Sequence, residues 1–155
     1  MISIKMIDYQ IRAADKKQDL AKIRALNISC LEENYPKSFW KAAMTSGTVH
    51  LVAVTGPAAK PIGYVATMHH EGKLIIYSFA VQQHHRRRGV GRLLLVRLLE
   101  LLREQDNQSA LYLQVRCDNK AALGLYESLG FRESTRLPVF YRNGGDAAEM
   151  VLALK

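Results

Sequence analysis

One strand–loop–helix unit constrains the fold of this chain more than any other stretch. The apolar segment Lys73–Val81 has the length of a buried strand, and Gly89–Gln105 has the periodicity of an amphipathic helix. The apolar side chains of that helix fall on one stripe, which consists of Val90, Leu94, Leu98 and Leu101. Between strand and helix lies the basic segment Gln83–Arg88, with Gly89 and Gly91 directly after it. These features predict a sharp turn from a strand into the N-terminus of a long helix.

The segments before this unit have the patterns of helices and of antiparallel strands. Ile2–Arg12 alternates as a strand does, and Asp15 with Gln18 three residues later resembles a capping box that begins a helix. A second helix is predicted in SFWKAAM, and strands follow at VHLVAV and PIGYVATMHH. The turn Glu71–Gly72 joins the latter strand to the next one, so these two strands are expected to form a hairpin.

The segments after the long helix continue the alternation of strands and helices. ALYLQVRC predicts a strand that places its leucines on one face and Gln114 on the other. KAALGLYESL reads as a short helix that Asp118 or Asn119 caps and Gly130 closes. The tail VFYRNGGDAAEMVLAL is predicted to form two strands around Asn-Gly-Gly. The order of elements predicts an α+β (mixed α/β) fold.

The composition excludes several classes of protein. Hydrophobic residues make up 48% and charged residues 23% of the 155 residues, which is typical of a folded globular chain and not of a disordered one. No apolar run approaches the roughly 20 residues of a membrane span, and MISIKMIDYQ lacks the apolar core of a secretory signal. The two cysteines, Cys30 and Cys117, form no paired motif, which fits a reducing compartment. We therefore expect a cytoplasmic protein with no membrane partner.

The net charge of +8 implies an acidic ligand or partner, and the segment HHRRRGVG concentrates that charge. The segment allows three interpretations: a solvated basic turn, a nucleic-acid patch, or a site for the diphosphate of a small molecule. A nucleic-acid surface usually adds exposed aromatic residues, which this segment lacks, so no specific DNA binding is expected. A helix N-terminus favours phosphate, and Gly89 and Gly91 let the backbone approach it closely. No Gly-Lys-Ser/Thr follows, and Leu94 replaces the third glycine of a dinucleotide fingerprint.

The basic loop, Arg86–Gly91, resembles the Gln/Arg-x-x-Gly-x-Gly/Ala signature of the GNAT superfamily of N-acetyltransferases. The flanking segments are also similar to that family, YSFAV to its coenzyme-binding strand and ALYLQVRCDNKAALGLYESLGF to its next strand, loop and helix. Within the superfamily the chain resembles protein N-terminal acetyltransferases of the RimI type and of the NatA catalytic-subunit type. The resemblance implies a single GNAT-like domain over residues 1–155, with a central mixed, mostly antiparallel sheet flanked by helices.

The same resemblance implies acetyl-CoA as the cosubstrate and assigns residues to it. The coenzyme arm is expected to bond to the backbone of Phe79, Ala80 and Val81, where an N–H group would stabilise the developing oxyanion. The diphosphate is expected at the basic loop. The residues that the resemblance assigns to coenzyme binding are Phe79, Ala80, Val81, Arg86, Arg87, Arg88, Gly89, Val90, Gly91, Arg92, Asn119 and Tyr126.

The resemblance also implies catalytic residues. Tyr126 matches the family tyrosine that protonates the leaving thiolate, and a packed core aromatic is the alternative. At Gln114 the RimI-like enzymes have a glutamate and the NatA-like enzymes a histidine. Glutamine cannot take a proton at neutral pH, so Gln114 can only orient a water. Glu33 matches a NatA-type glutamate that lines the peptide site and is the other candidate base, with an exposed helix-end glutamate as its alternative. Tyr35 and Tyr141 match positions that contact the substrate N-terminus, and ordinary packed tyrosines are their alternative.

The absence of a titratable base at Gln114 favours one class of acceptor. An α-amine has a pKa near 8, so roughly a tenth of it is neutral at pH 7, against well under a thousandth of a lysine. Three functions stay open: direct acetyl transfer to a protein N-terminus, acetylation of a lysine or small amine, and a non-catalytic module that binds nucleic acid or the ribosome. A ribosome and an auxiliary subunit are candidate partners of the first. No histidine or cysteine pattern has metal-ligand spacing, so no metal is expected.

Overall fold

The computed structural model describes residues 8–141 and 144–155, and its strands form a mixed sheet. The strands are β1 (Tyr9–Ala13), β2 (His50–Thr55), β3 (Lys60–His70), β4 (Lys73–Val81), β5 (Ala110–Arg116), β6 (Arg132–Leu137) and β7 (Ala147–Ala153). The helices are α1 (Lys16–Cys30), α2 (Lys37–Thr45), α3 (Val90–Gln105) and α4 (Lys120–Ser128). The strands are hydrogen-bonded in the order β1-β2-β3-β4-β5-β7-β6, in which β4 and β5 are parallel. The predicted α+β class with a mostly antiparallel sheet is confirmed.

Helix α1 begins at a cap that the sequence predicted only in part. Asp15 Oδ1 accepts hydrogen bonds from the backbone N–H groups of Lys17 and Gln18, both at 2.9 Å, so Asp15 is the N-cap. The reciprocal bond comes from Asp19 and not from Gln18, because the backbone N–H of Asp15 donates to Asp19 Oδ2 at 2.7 Å. Burial opposes the charge of Asp19, but the hydrogen bonds from Arg12 and Asp15 outweigh it and lower the pKa of this carboxyl.

The chain divides into two compact units. The first comprises the described residues up to Ala66 together with Ser78–Arg97, and therefore holds α1, α2, β1, β2, most of β3, the end of β4 and the start of α3. Its core contains Trp40 and Tyr64, whose rings meet edge to face with centroids 5.6 Å apart. The Tyr64 hydroxyl lies 2.7 Å from Ser78 Oγ, so the buried phenol has a polar partner on β4.

The second unit comprises Thr67–Tyr77 and Leu98–Lys155. Within it β5 pairs with β4 at Ile75 and Ile76, and with β7 over its whole length. The alternation predicted for β5 is confirmed, because its leucines and Val115 are buried while Gln114 is exposed. Helix α4 ends at Ser128, and Gly130 follows its C-cap Leu129 with φ of +101°, which suits a residue without a Cβ.

One predicted strand differs in position from the observed one, and another lies partly outside the described residues. The first tail strand was predicted in VFY but ends earlier, at Leu137, directly before a proline. The backbone N–H of Val139 donates instead to Asp146 Oδ1 at 2.9 Å, and that of Tyr141 donates to the Gly145 carbonyl oxygen at 3.1 Å. These loop hydrogen bonds take the groups that a strand ladder would use. At the other end of the chain, β1 begins at Tyr9, and the predicted strand residues 2–7 lie outside the described residues.

Candidate active site

The basic loop lies where the sequence predicted it, between a strand and the N-terminus of a long helix. Strand β4 ends at Val81, a short 3₁₀ turn covers Gln83–His85, and α3 begins at Val90. The Gly89 carbonyl accepts the first helical hydrogen bond, from Leu93 N–H at 3.0 Å. The N–H groups of the first turn of a helix have no partner within that helix, and they carry its positive dipole end. The loop therefore presents backbone donors that suit an anion.

The side chains of the basic loop are open to solvent, and its backbone is unusual. Arg86, Arg87, Arg88 and Gly89 are exposed, as is Arg92 one turn into the helix. Arg87 has φ of +63° and Gly89 has φ of +81°, so the chain turns through left-handed conformations on both sides of Arg88. A Cβ on Gly89 would meet no atom within 4 Å, which shows that open space lies beside this glycine. The loop has both the charge and the room for a phosphate group.

Two contacts anchor the basic loop inside the first unit, and the sequence predicted neither. Arg86 Nε donates a hydrogen bond of 2.8 Å to the Val81 carbonyl oxygen, so this arginine ties the loop back to the end of β4. The Tyr9 hydroxyl lies 2.9 Å from Nδ1 of His85, and the two rings meet edge to face. Burial and the charges of Arg88 and His84 lower the pKa of His85. A neutral His85 therefore supports the loop at neutral pH.

The end of β4 places Phe79, Ala80 and Val81 beyond the pairing of β4 with β5, which involves Ile75 and Ile76. Ala80 is buried, while Phe79 and Val81 are half-exposed. Strand β3 approaches closely at Gly63, because a Cβ there would lie 3.1 Å from the Ala80 carbonyl oxygen. The glycine therefore permits the close approach of the β3 backbone to the end of β4.

The turn between α1 and α2 carries Glu33 and Tyr35, and a buried asparagine shapes it. Asn27 is 1% exposed; its Nδ2 donates to the Glu33 carbonyl oxygen at 3.1 Å, and its Oδ1 accepts from Tyr35 N–H at 3.2 Å. The Glu33 side chain is exposed, and Tyr35 stacks on Phe39 with ring centroids 4.4 Å apart. Burial, and secondarily the charge of Glu33, raise the pKa of Tyr35. The sequence does not predict this role of Asn27, because a helical pattern gives no information on its polar contacts.

In the second unit, Tyr126 lies on the inner face of α4. Its side chain is buried, and its ring meets that of Phe131 edge to face at 5.7 Å. Burial raises the pKa of Tyr126 far above its usual value, with a smaller contribution from Tyr141. The phenol is therefore protonated at every physiological pH, and burial makes it a weaker acid than a solvated tyrosine. A packed core aromatic has the same burial.

Strand β5 and the segments near it carry further predicted site residues. Gln114 is exposed, and two residues further along the Arg116 guanidinium lies over the Tyr141 ring, 4.0 Å from its centroid. Asn119 follows β5 and caps α4, since its Oδ1 accepts a hydrogen bond of 3.1 Å from Ala122 N–H. The structure shows this capping role of Asn119, and its contact with the coenzyme stays a prediction.

The predicted site residues therefore fall into two groups. The first unit contains Glu33, Tyr35, Phe79–Val81 and the basic loop with Arg92, and the second contains Gln114, Asn119, Tyr126 and Tyr141. Over the part of the chain that the structure describes, no three histidine, cysteine or acidic side chains are grouped as metal ligands would be. Nor does any described helix have the length and apolarity to cross a membrane.

The sequence that contains this strand–loop–helix unit matches the model of a known family. Residues 19–131 fit the model of the acetyltransferase (GNAT) family, which is well over half of the chain. The chain belongs to the GNAT family. The expected membership, stated above from the Arg86–Gly91 signature and its flanks, is thus confirmed.

Two relatives and one solved structure refine this membership within the GNAT family. The chain is 33% identical to the N-alpha-acetyltransferase of Sulfolobus acidocaldarius, over 98% of this chain and 96% of that protein. It is 45% identical over 60 residues to the [ribosomal protein bS18]-alanine N-acetyltransferase of Escherichia coli, covering 39% of this chain and 40% of that one. The crystal structure of Ard1 from Thermoplasma volcanium superposes with a TM-score of 0.84 at 27% identity, covering 94% of this chain and 97% of that one.

Proposed function

We propose that the protein transfers an acetyl group from acetyl-CoA to the α-amine of a protein or peptide N-terminus. The observation that carries the proposal is the relationship to an N-alpha-acetyltransferase at 33% identity over 98% of this chain. We further propose that residues 1–155 act as one acetyltransferase domain in the cytoplasm. The family match runs through both compact units, which supports a single functional domain.

In this proposal the coenzyme diphosphate binds at the basic loop. The exposed guanidinium groups of Arg87, Arg88 and Arg92 supply charge, and the N–H groups at the start of α3 supply directed hydrogen bonds. Open space beside Gly89 allows the backbone to approach the phosphates. The coenzyme arm runs along the backbone of Phe79–Val81, at the half-exposed end of β4.

The chemistry is an attack of a neutral amine on the thioester. The amine nitrogen forms a bond to the acetyl carbonyl carbon, the carbon–sulfur bond breaks, and its electron pair leaves with the sulfur. Tyr126 gives its hydroxyl proton to that sulfur, a role that its protonated state permits. A backbone N–H at the end of β4 stabilises the oxyanion as it develops. The new amide nitrogen loses its extra proton to solvent, and Tyr126 regains a proton from solvent, so the products are an acetylated N-terminus and the free thiol.

The acceptor side of the proposal involves Glu33, Tyr35 and Tyr141. Tyr35 is fixed by Asn27 and by its stacking on Phe39, so its ring is a rigid wall for a peptide N-terminus. Two routes serve the proton of the incoming ammonium: the exposed carboxylate of Glu33, and a water that the Gln114 amide orients. An auxiliary subunit or the ribosome would present the acceptor chain in this scheme.

A matched pair of peptides tests the proposed function. Both have the same sequence with one lysine; in the first the N-terminus is free and the lysine is acetylated, and in the second the blocking is reversed. We expect acetyl transfer, followed by release of the free thiol, with the first peptide only. Transfer to the second peptide alone would replace the proposal with lysine acetylation. Binding of RNA or ribosomes without transfer to either peptide would replace it with a non-catalytic function.

A further inference from the structure

The residue directly across the sheet from Gln114 is a glutamate. In the antiparallel pairing of β5 with β7, Gln114 is the partner of Glu149. Directly opposed residues of an antiparallel pair project from the same face, with Cβ atoms about 4.5–5.5 Å apart. A carboxylate therefore stands one strand away from the position at which the sequence lacks a base, and on the same face of the sheet.

Side chains of β6 and of β4 hold the carboxylate of Glu149 in place. Ser134 Oγ of β6 donates a hydrogen bond of 2.9 Å to Glu149 Oε1. Lys73 Nζ at the start of β4 lies 3.4 Å from the same oxygen and 4.6 Å from the centroid of the Tyr112 ring on β5. The Glu149 side chain is 19% exposed, so it is partly buried but still reached by solvent. These contacts orient the carboxylate and leave it access to a water.

Stability alone does not explain a glutamate at position 149. It interrupts the apolar strand AAEMVLA, in which Ala148 and Met150 are buried. Its ion pair with Lys73 is long, and Lys73 is 44% exposed. A long ion pair with an exposed lysine contributes little to stability. Its cross-strand partner on β6 is Thr135, and the next charged group on this face of β5 is Arg116, which lies over Tyr141.

We infer that Glu149 accepts the proton of the incoming ammonium through the water that Gln114 orients. The inference rests on the proposed function, because it completes the second of the two proton routes there. One proton leaves the ammonium for the water as the water gives one to the Glu149 carboxylate, so the amine becomes neutral and the water is unchanged. The neutral amine then attacks the thioester, and Glu149 returns its proton to solvent after the product leaves. In this account Glu149 on β7 supplies the carboxylate that RimI-like enzymes have on β5, at the position of Gln114.

The test compares pH–rate profiles of three single variants at saturating acetyl-CoA. Glu149→Gln removes the carboxylate and keeps the size and the hydrogen-bonding groups. Glu33→Gln probes the alternative route. Glu133→Gln is the matched control, because Glu133 is an exposed glutamate of β6 whose cross-strand partner is Met150, which places it on the other face. The thermal midpoint and the acetyl-CoA affinity of each variant are measured alongside, so that loss of folding is recognised.

We expect Glu149→Gln to lower turnover of an α-amine acceptor about ten-fold at pH 7 and to approach the wild-type rate near pH 9. The reason is that about a tenth of an α-amine is neutral at pH 7 and about nine tenths at pH 9. Adding Gln114→Glu to Glu149→Gln should restore most of the turnover at pH 7, since the carboxylate returns to the same face from β5. A merely structural role of Glu149 would lower the thermal midpoint without this pH-dependent recovery.

The inference and the proposed function fail in different ways. If Glu149→Gln has the wild-type pH–rate profile, the inference is wrong, and Glu33→Gln then identifies the other route. If the wild type acetylates only the lysine of the matched peptides, the proposed acceptor is wrong, and Glu149 is judged with the lysine peptide. In that case the turnover of Glu149→Gln should approach that of the wild type only near the lysine pKa of about 10.4.

Discussion

The hydroxyl of Tyr9 on β1 lies 2.9 Å from Nδ1 of His85 in the turn that leads to the basic loop. The two residues are 76 positions apart in the chain. Their rings also meet edge to face, with centroids 5.7 Å apart. A strand at the edge of the sheet therefore supports the turn that leads to the basic loop.

Tyr9→Phe should weaken acetyl-CoA binding without removing any group that we assign to the coenzyme. A net loss of about 1 kcal/mol for one hydrogen bond corresponds to roughly a five-fold increase in Kd. Isothermal titration calorimetry measures this directly. Tyr112→Phe removes a hydroxyl from β5 in the second unit and serves as the control, with an unchanged Kd expected. Equal affinities of Tyr9→Phe and wild type would show that the loop keeps its shape without this contact.

Gly89→Val should weaken coenzyme binding far more than it weakens the fold. The residue has φ of +81° and open space beside it, so the new side chain would strain the backbone and occupy the room that we assign to a phosphate. Gly56→Val in the β2–β3 turn is a matched control, since Gly56 has φ of +78° and equally open surroundings. Both variants should lose similar thermal stability, and only Gly89→Val should lose acetyl-CoA affinity. Similar affinities in both would place the diphosphate elsewhere.

Tyr126→Phe should lower kcat by about 10²-fold, the lower end of the range for a general acid, with little change in coenzyme Kd. The variant removes one hydroxyl and keeps the ring contact with Phe131. Because burial raises the pKa of Tyr126, ionisation of this phenol should not reduce wild-type turnover anywhere below pH 10. Stopped assays from pH 6 to pH 10 measure the kcat of the variant and the pH dependence of wild-type turnover. Parallel losses of coenzyme affinity and kcat would instead indicate a packing role.

The protein should become less stable as the pH falls below about 6.5, partly because of His50. Burial lowers the pKa of this histidine below its ordinary value of 6.5 in the folded state. The unfolded chain therefore binds more protons than the folded one in this range, so the free energy of unfolding decreases as protons are added. His50→Gln should show a smaller fall in thermal midpoint between pH 7.5 and pH 5.5. His69→Gln, at an exposed histidine of β3, should keep the wild-type dependence.

The strand–loop–helix unit could be predicted from sequence because each part has a local signal. The apolar stripe from Val90 onward has the helical period, and glycines mark the turn before it. The end of β6 could not be read in the same way. The strand RESTRL is almost entirely exposed and has no apolar alternation, whereas the apolar residues Val139 and Phe140 have the composition of a strand. Both of these are exposed loop residues.

The sequence could predict those residues of the candidate site whose position depends only on their own strand or helix. Gln114 follows from the alternation of β5, and Tyr126 from the resemblance at α4. Glu149 and Tyr9 depend on partners that are distant in sequence. The pairing of Gln114 with Glu149 is fixed by the register of β5 on β7, and that of Tyr9 with His85 by the tertiary fold. No local pattern in a single sequence encodes either contact.

The most direct test of direct transfer to an N-terminal amine uses two conjugates of coenzyme A with one peptide. In the first, an acetyl bridge links the coenzyme sulfur to the peptide α-amine; in the second, it links the sulfur to a lysine amine. We predict that the α-linked conjugate binds at least about 10²-fold more tightly than acetyl-CoA or the peptide alone, as analogues that join both substrates at the reacting atoms do. Calorimetry that shows equal or tighter binding of the lysine-linked conjugate would contradict the account.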